Sequence, residues 1–355
     1  MNSDIQLDLI EARIRELVAR AIAVPGAAGD DQTCDGIVTD VARQALVSSE
    51  GGKRLRAILA LAAFDAACGA PDRHAAMLDL ACGIEVFQTA ALVHDDIIDD
   101  SDLRRGKPAA HKALSALAGD GAIGRGLGIM LGDLLATASV SIADDAARML
   151  PGSDRLTAAF LTMHREVEVG QVLDLAVELT PLDDPRALAA ASLNVFRWKT
   201  ASYTTIAPVE LGLIAAGMPA DEARRRALAV GCPLGLAFQL ADDLLDVTGD
   251  SRSTGKPVGG DIREGKRTVL LADALEGADE SERTELRAMF AAPSRDAAQV
   301  ERTIALFGST GAIKRSRERI AALWDDTLAA VDDWGLEPDP RDALLAVCAR
   351  FVPSM

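Results

Sequence analysis

The segment His94–His111, HDDIIDDSDLRRGKPAAH, gathers Asp95, Asp96, Asp99, Asp100 and Asp102 and follows them with Arg104, Arg105 and Lys107. On a helix, carboxylates three and four residues apart share a face within about 6 Å and repel one another. A helix C-terminus makes this worse, because the macrodipole there favours cations. A shared divalent cation reverses the sign of the repulsion. Magnesium takes octahedral oxygen coordination, keeps some waters, and is completed by one or two carboxylates plus substrate phosphates. The same spacing returns at Asp242, Asp243 and Asp246 in ADDLLD, again behind an apolar helical stretch. Two facing triads could hold several magnesium ions around one diphosphate. A solvated acidic helix end accounts for one acidic run but poorly for two matched ones. His94 is expected to pack or hydrogen-bond rather than ligate, since magnesium prefers hard oxygen donors.

Three basic clusters stand near these carboxylates. GGKRLR places Lys53, Arg54 and Arg56 after two glycines at a helix start, where backbone N–H groups favour anions. LRRGKP adds Arg104 and Arg105, and TGKPVGGDIREGKRT adds Lys256, Lys266 and Arg267. One such cluster alone is compatible with a solvated surface. Together, in a chain of net charge −17, they suggest polyphosphate clamps, with Arg suited to bidentate contact and Lys to a point charge.

The elements that must carry these groups are helices. Apolar residues recur at helical spacing in IQLDLIEARIRELVARAI, AAMLDLACGIEVFQTAALVHD and ADEARRRALAVGCPLGLAFQLADDLLDV, and strand-like alternation is absent. Turns are marked by GAPD, RRGKP, LPGSD and TPLDDP. The expectation is an all-α protein of roughly a dozen helices packed on one another. With 355 residues, 49% of them hydrophobic, and no Gly/Ser-rich or Pro-rich linker, one domain over 1–355 is expected. The acidic balance argues against nucleic acid or an anionic membrane as partner. The five cysteines show no metal-ligand spacing and read as reduced thiols of a cytoplasmic protein. Charges run through the N-terminal periodic stretch, so it does not read as a signal peptide. The longest uncharged stretch, near ALAVGCPLGLAFQLA, reads as too short and too Gly/Pro-broken to span a bilayer.

With these residues in place the sequence resembles the trans-isoprenyl diphosphate synthases, the polyprenyl synthetase family, over nearly its whole length. The landmarks GGKRLR, VHDDIIDDSDLRRGKP, LGDLL, GQVLD, KTA, FQLADDLLD and GKPVGGDIREGKRT come in family order. The resemblance implies the isoprenoid synthase fold, one large helical bundle with a central active-site cavity. It implies a homodimer and a magnesium-dependent condensation of isopentenyl diphosphate with an allylic diphosphate. By carry-over, Asp95, Asp96, Asp99, Asp242, Asp243 and Asp246 hold three magnesium ions per active site. Arg104, Lys199, Thr200, Gln239, Lys256 and Lys266 surround the allylic diphosphate, and Lys53, Arg56, Gln88 and Arg105 bind isopentenyl diphosphate. Two positions depart from the family pattern: many relatives have His where this chain has Gln88, and Pro where it has Ala57.

Two other functions stay open on sequence grounds. A class I terpene cyclase would use a similar metal site, but with a more aromatic cavity and without the GGKRLR clamp; here aromatics are 3%. A non-catalytic regulatory subunit would be expected to have lost a triad or its cations, and both triads are complete. For product length, Ala91 and Ala90 lie four and five residues before Asp95 and leave room for a growing tail. Phe87 lies about 4.5 Å deeper at 1.5 Å per residue, where its ring either floors a tunnel or packs in the core. Geranylgeranyl diphosphate is the expected product, ahead of longer chains and of farnesyl diphosphate.

Overall fold

In the computed structural model, which describes residues 3–23, 31–249 and 258–352, most of those residues are helical. The first helices are α1 (Ser3–Ala21), α2 (Gln32–Ser49), α3 (Leu55–Ala66), α4 (His74–Ile98), α5 (Ala110–Ala118) and α6 (Gly121–Ala147). Then come α7 (Ser153–Val177), α8 (Pro185–Val195), α9 (Ala207–Ala215) and α10 (Ala220–Thr248). Further helices follow at Gly260–Glu264, Val269–Gly277, Glu280–Ala291, Ala297–Ser309, Ala312–Asp332 and Pro338–Cys348. Local chemistry sets their starts. Asp31, Asp120 and Asp184 accept N-terminal backbone N–H groups, while Asp279/Glu282 and Asp296/Gln299 form reciprocal capping boxes.

The all-α expectation holds, with two local departures. LRRGKP folds into a small antiparallel hairpin, β1 (Leu103–Arg104) against β2 (Lys107–Pro108), with Arg104 opposite Lys107. Its two turn residues, Arg105 (φ 52°) and Gly106 (φ 75°), both lie in the left-handed region that tight hairpin turns require. The second departure is a π-helical segment, Phe196–Ile206, that joins α8 to α9 without a break.

The residues pack as two units: Met1–Leu161 with Pro208–Ala223, and Thr162–Ala207 with Arg224–Met355. In the first, α4 packs along α6 and also touches α1, α3 and α5. Gly124, Gly128 and Gly132, four residues apart on α6, let α5 and the end of α4 come close to it. A Cβ at each would meet Ser115, His111 and His94 respectively at 2.1–2.9 Å. His94, the residue before the first triad, is thereby seated over Gly132.

In the second unit α10 runs through Pro233 without interruption. Leu240, Leu244 and Val247 on α10 join Leu188, Phe196, Leu270, Leu275, Leu286, Phe307 and Ile320 in one apolar core. Gly231 and Gly235 let α10 lie directly on the π-helical segment, since a Cβ at either would fall within 2.7 Å of Ile206 or Ala201. The unbroken α10 corrects the sequence estimate for this stretch. Three helical spans, Pro71–Ile98, Gly121–Ala147 and Ala220–Thr248, are long and apolar enough to cross a membrane by length and composition.

Candidate active site

The first triad ends α4. At 100° per residue Asp95 and Asp99 lie about 40° apart around the helix, and Asp96 lies about 100° from Asp95. Burial follows that division: Asp95 and Asp99 are half-buried, and Asp96 is 2% exposed. The Asp96 carboxylate faces the hairpin, where Arg104 Nε donates to its Oδ1 at 2.9 Å and Nη2 donates to the same oxygen. Burial disfavours the guanidinium charge, but Asp96, then the fields of Asp95 and Asp99, outweigh it and raise the Arg104 pKa. His94 Nε2 lies 3.1 Å from the Ile129 carbonyl and 3.4 Å from Asp133 in the LGDLL landmark, a packing and hydrogen-bonding role.

GGKRLR is built by left-handed backbone at Gly51, Gly52 and Arg54 (φ 72°, 109° and 49°). Arg54, which caps the start of α3, is fully buried rather than offered to a ligand. It donates to Glu11 at 2.7 and 3.0 Å and to the Ser49 carbonyl, and its Nη1 lies 3.6 Å from Glu85. Lys53 is exposed and Arg56 is buried in the first turn of α3. Glu85 on α4 also accepts the Ala57 N–H at 3.0 Å, a bond that proline could not make. The family departure at Ala57 therefore has a local use. Arg105 donates to the carbonyls of Glu50 and Gly51 at 2.8 and 2.6 Å, and burial, then the neighbouring Arg54, lowers its pKa. Lys107 pairs with Glu50 at 2.8 Å. Glu50, Arg105 and Lys107, with Asp96 and Arg104, line a cavity of about 540 Å³ bounded by the end of α2, the Gly51–Gly52 turn, α4 and the hairpin; Lys53, Arg56 and Gln88 are not among its lining residues. Gln88 is half-buried on α4. Of the product-length positions, Phe87 and Ala90 are each 1% exposed within the core, and Ala91 is half-buried.

The second triad ends α10 with the same inward and outward pattern: Asp242 is exposed, Asp243 buried and Asp246 half-buried. The neighbours differ in kind. Asp246 accepts the backbone N–H groups of Gly260 and Asp261 at 3.0 and 3.2 Å. Asp243 accepts from Gln239 Nε2 at 2.9 Å, and Gln239 Oε1 accepts from Thr200 at 2.9 Å. Burial, then the charge of Asp261, pushes the Asp243 carboxyl well above the usual range, and its Gln239 bond pulls it back. Asp261 is itself pushed up to about 6 by burial and the fields of Asp246, Glu264 and Asp242, against the pull of Lys266. Lys266 pairs with Glu264 at 2.9 Å and approaches Asp261 at 3.7 Å. Lys199, on the π-helical segment, pairs with Asp174 of the GQVLD landmark at 2.6 Å. Gly170 makes that approach possible, because a Cβ there would lie 2.2 Å from the Lys199 backbone nitrogen. Lys256 lies outside the described residues.

Among the described residues no group of three acidic, thiol or imidazole side chains encloses an ion position. Each triad instead presents separate carboxylates along a helix end. The donors are hard oxygens throughout, which fits a magnesium ion that takes few protein ligands and completes its shell with water and phosphate. Sequence reasoning missed Glu85, Glu11, Asp174 and Asp261. GQVLD and VGGDIREGKRT were visible as landmarks, but the pairings of Asp174 and Asp261 needed the fold.

A family model described as polyprenyl synthetase matches residues 39–307. The short chain isoprenyl diphosphate synthase of Methanothermobacter thermautotrophicus is 32% identical over 305 residues, 81% of this chain and 86% of that one. The all-trans-nonaprenyl-diphosphate synthase (geranyl-diphosphate specific) of Rhodobacter capsulatus is 31% identical over 316 residues, 88% of this chain and 89% of that one. A solved structure of geranylgeranyl pyrophosphate synthase from Corynebacterium glutamicum, complexed with isoprenyl diphosphate and magnesium, superposes with a TM-score of 0.83 at 33% identity. It covers 98% of this chain and 99% of its own.

Proposed function

The chain belongs to the polyprenyl synthetase family and is a trans-isoprenyl diphosphate synthase, and on that premise we propose that its main product is geranylgeranyl diphosphate. The observation that carries the site assignment is the pairing of each Asp triad with phosphate-suited side chains held in place around it. Arg104 stands beside the first triad, and Gln239 and Thr200 stand beside the second. Those groups, with Lys199 and Lys266, would grip the allylic diphosphate. Lys53, Arg56, Gln88 and Arg105 would grip isopentenyl diphosphate.

Divalent metal use goes with the family; three magnesium ions per site, held from the Asp95–Asp99 and Asp242–Asp246 helix ends, are our reading. When bound, the metal neutralises the charge that the departing diphosphate develops. The preorganised cations act on the same charge: as the allylic C–O bond breaks heterolytically, they stabilise the leaving group. The isopentenyl double bond then attacks the allylic cation, and the departing diphosphate takes the proton released. No histidine is required for this sequence of steps.

We further propose that residues 1–355 act as one catalytic domain, without a membrane anchor, in the cytoplasm and as a homodimer. The five cysteines are free. Ile123, Met130 and Leu134 form an exposed apolar stripe on α6 (54, 51 and 44% exposed), a surface suited to a second copy. Purified protein given magnesium, labelled isopentenyl diphosphate and dimethylallyl, geranyl or farnesyl diphosphate should release a twenty-carbon diphosphate, resolved by chromatography after dephosphorylation. A main product of another length would replace the product assignment, and a monomer mass by light scattering would remove the dimer.

A further inference from the structure

Two buried polar side chains outside the site described above converge on the segment that carries Lys266. Arg295 is 6% exposed and lies in the turn between the helices Glu280–Ala291 and Ala297–Ser309. Its Nη1 donates to the carbonyls of Met289 and Ala292 at 3.2 and 2.9 Å, at the C-terminal end of the first of those helices. Its Nε donates to the Arg263 carbonyl at 3.3 Å, in the last turn of the short helix Gly260–Glu264. A helix end leaves carbonyls without intrahelical partners and favours a cation, so one guanidinium joins two such ends. The Phe290 ring centroid lies 5.7 Å from it. The second side chain is Ser192 on α8, 1% exposed, whose hydroxyl donates to the Arg267 carbonyl at 2.7 Å.

The chain between these anchors is tightly folded. It enters from the second Asp motif, where the Gly259 N–H donates to the Asp246 carbonyl at 2.8 Å. Gly265 ends the short helix at φ 88°, and a Cβ there would lie 2.3 Å from Arg295 Nη2. The N–H groups of Gly265 and Lys266 both donate to the Asp261 carbonyl at 2.9 Å. Lys266 thus follows a left-handed glycine packed on Arg295 and precedes a residue held by Ser192. Lysine is a point charge on a flexible stem, so the place its ammonium reaches is set by its backbone.

Resting on the proposed role of Lys266 at the allylic diphosphate, we infer that Arg295 and Ser192 are positioning residues for that substrate. They fix the backbone of residues 263–267 and with it the direction from which Lys266 reaches the phosphate. Neither residue belongs to the sequence landmarks. A structural role alone predicts lost stability with both substrates affected alike; the positioning role predicts a selective loss of allylic diphosphate affinity.

The test measures KM for each substrate, one varied at a time, in Arg295→Lys, Ser192→Ala, Lys266→Ala and the Arg295→Lys/Lys266→Ala double variant, with urea denaturation alongside. Arg295→Lys keeps a cation among the helix-end carbonyls but loses the planar fork that spans both ends. It should raise the allylic KM by about tenfold, the scale of one charge-assisted contact, and leave the isopentenyl KM unchanged. Ser192→Ala should raise the allylic KM by about threefold, the scale of one neutral hydrogen bond. In the Lys266→Ala background Arg295→Lys should add little, since the group it positions is gone. Amide hydrogen exchange across residues 259–268 should be faster in both single anchor variants. The inference is overturned if the allylic KM keeps its wild-type value in both anchor variants, or if both KM values rise together. It is also overturned if Arg295→Lys and Lys266→Ala raise the allylic KM additively. An unchanged allylic KM in Lys266→Ala would instead overturn the assignment of Lys266 in the proposed function, and the exchange rates would still decide whether Arg295 and Ser192 hold the segment.

Discussion

The two aspartate motifs have the same spacing and opposite electrostatic settings. The first, on α4, is countered by a side-chain cation: Arg104 lies against Asp96 and feels Asp95 and Asp99 as well. The second, on α10, is met directly by neutral donors, the N–H groups of Gly260 and Asp261 and the Gln239 amide, while Asp261 adds a further carboxylate and Lys266 a more distant cation. A guanidinium stabilises ionised carboxylates at all working pH values. At the second motif burial and neighbouring carboxylates push Asp243 and Asp261 up, while the Gln239 amide acts against that at Asp243 and Lys266 at both. Identical sequence spacing therefore gives one motif faced by a guanidinium and one in which two buried carboxyls, Asp243 and Asp261, are held above their usual range.

Removal of the outward carboxylates should have the largest effect and the least difference between motifs. Asp95→Ala and Asp242→Ala are each expected to lower turnover by about a hundredfold to a thousandfold, the scale for loss of a group that stabilises developing charge. Circular dichroism should show the helical fold intact, since these carboxylates repel their neighbours in the apo protein. A rate near wild type in either variant, with magnesium supplied, would break the symmetry of the comparison.

Next in size is the buried cation that frames the first motif. Arg54→Ala strands Glu85 and Glu11 and is expected to cost about 3–5 kcal/mol by chemical denaturation. Lys53→Ala, an exposed change at the residue before that helix cap, should leave stability nearly unchanged and weaken isopentenyl diphosphate instead. Lys199→Ala and Lys266→Ala should chiefly raise the allylic KM; varying one substrate at a time distinguishes the two clamps.

The pH response should come from the second motif. Asp243 and Asp261 titrate above their unfolded range near 3.8, Asp261 at about 6. Between those values the folded protein holds more protons than the unfolded chain, so their contribution to apo stability is present at low pH and is lost as pH rises through about 6. Magnesium requires the deprotonated carboxylates, so its stabilising effect should grow over the same interval. The shift in melting temperature on adding magnesium should be larger at pH 7 than at pH 5, and Asp261→Asn should flatten that dependence. An equal shift at both pH values would mean that the second motif is already ionised.

The smallest expected effect is on product length. Phe87→Ala should lengthen the product modestly and Ala90→Tyr should shorten it, as chromatography of the dephosphorylated products would show. Ala91→Tyr sharpens the test, because Ala91 lies about 40° from Asp95 around α4 and Ala90 about 140°. If none of the three changes the distribution, α4 is not the ruler.

Helix class and the two triads were legible in the sequence because both depend on local periodicity: an apolar face every three to four residues and carboxylates at the same interval. His94 as a packed neighbour was legible for a similar reason, the preference of magnesium for oxygen. Other features were not. Arg54 looked like a phosphate ligand beside Lys53 and Arg56, and only the meeting of Glu11, Ser49 and Glu85 from α1, α2 and α4 shows that it is spent internally. The hairpin at LRRGKP hides in six residues with an Arg at positive φ, a position sequence statistics would give to Asn or Gly. The π-helical segment carrying Lys199 and Thr200 has ordinary helical periodicity; Gly170, Gly231 and Gly235, which make room around it, lie far away in the chain. The split between inward and outward aspartates depends on a 100° rotation that a motif written as DDxxD does not express.

The central claim is tested most directly by incubating the purified chain with labelled isopentenyl diphosphate and farnesyl diphosphate, with magnesium and with excess chelator. Elongated prenyl diphosphate that forms with magnesium, disappears with chelator and returns when magnesium is restored is the predicted result. Product formed equally in chelator, or no elongation in magnesium by a folded protein, would contradict it.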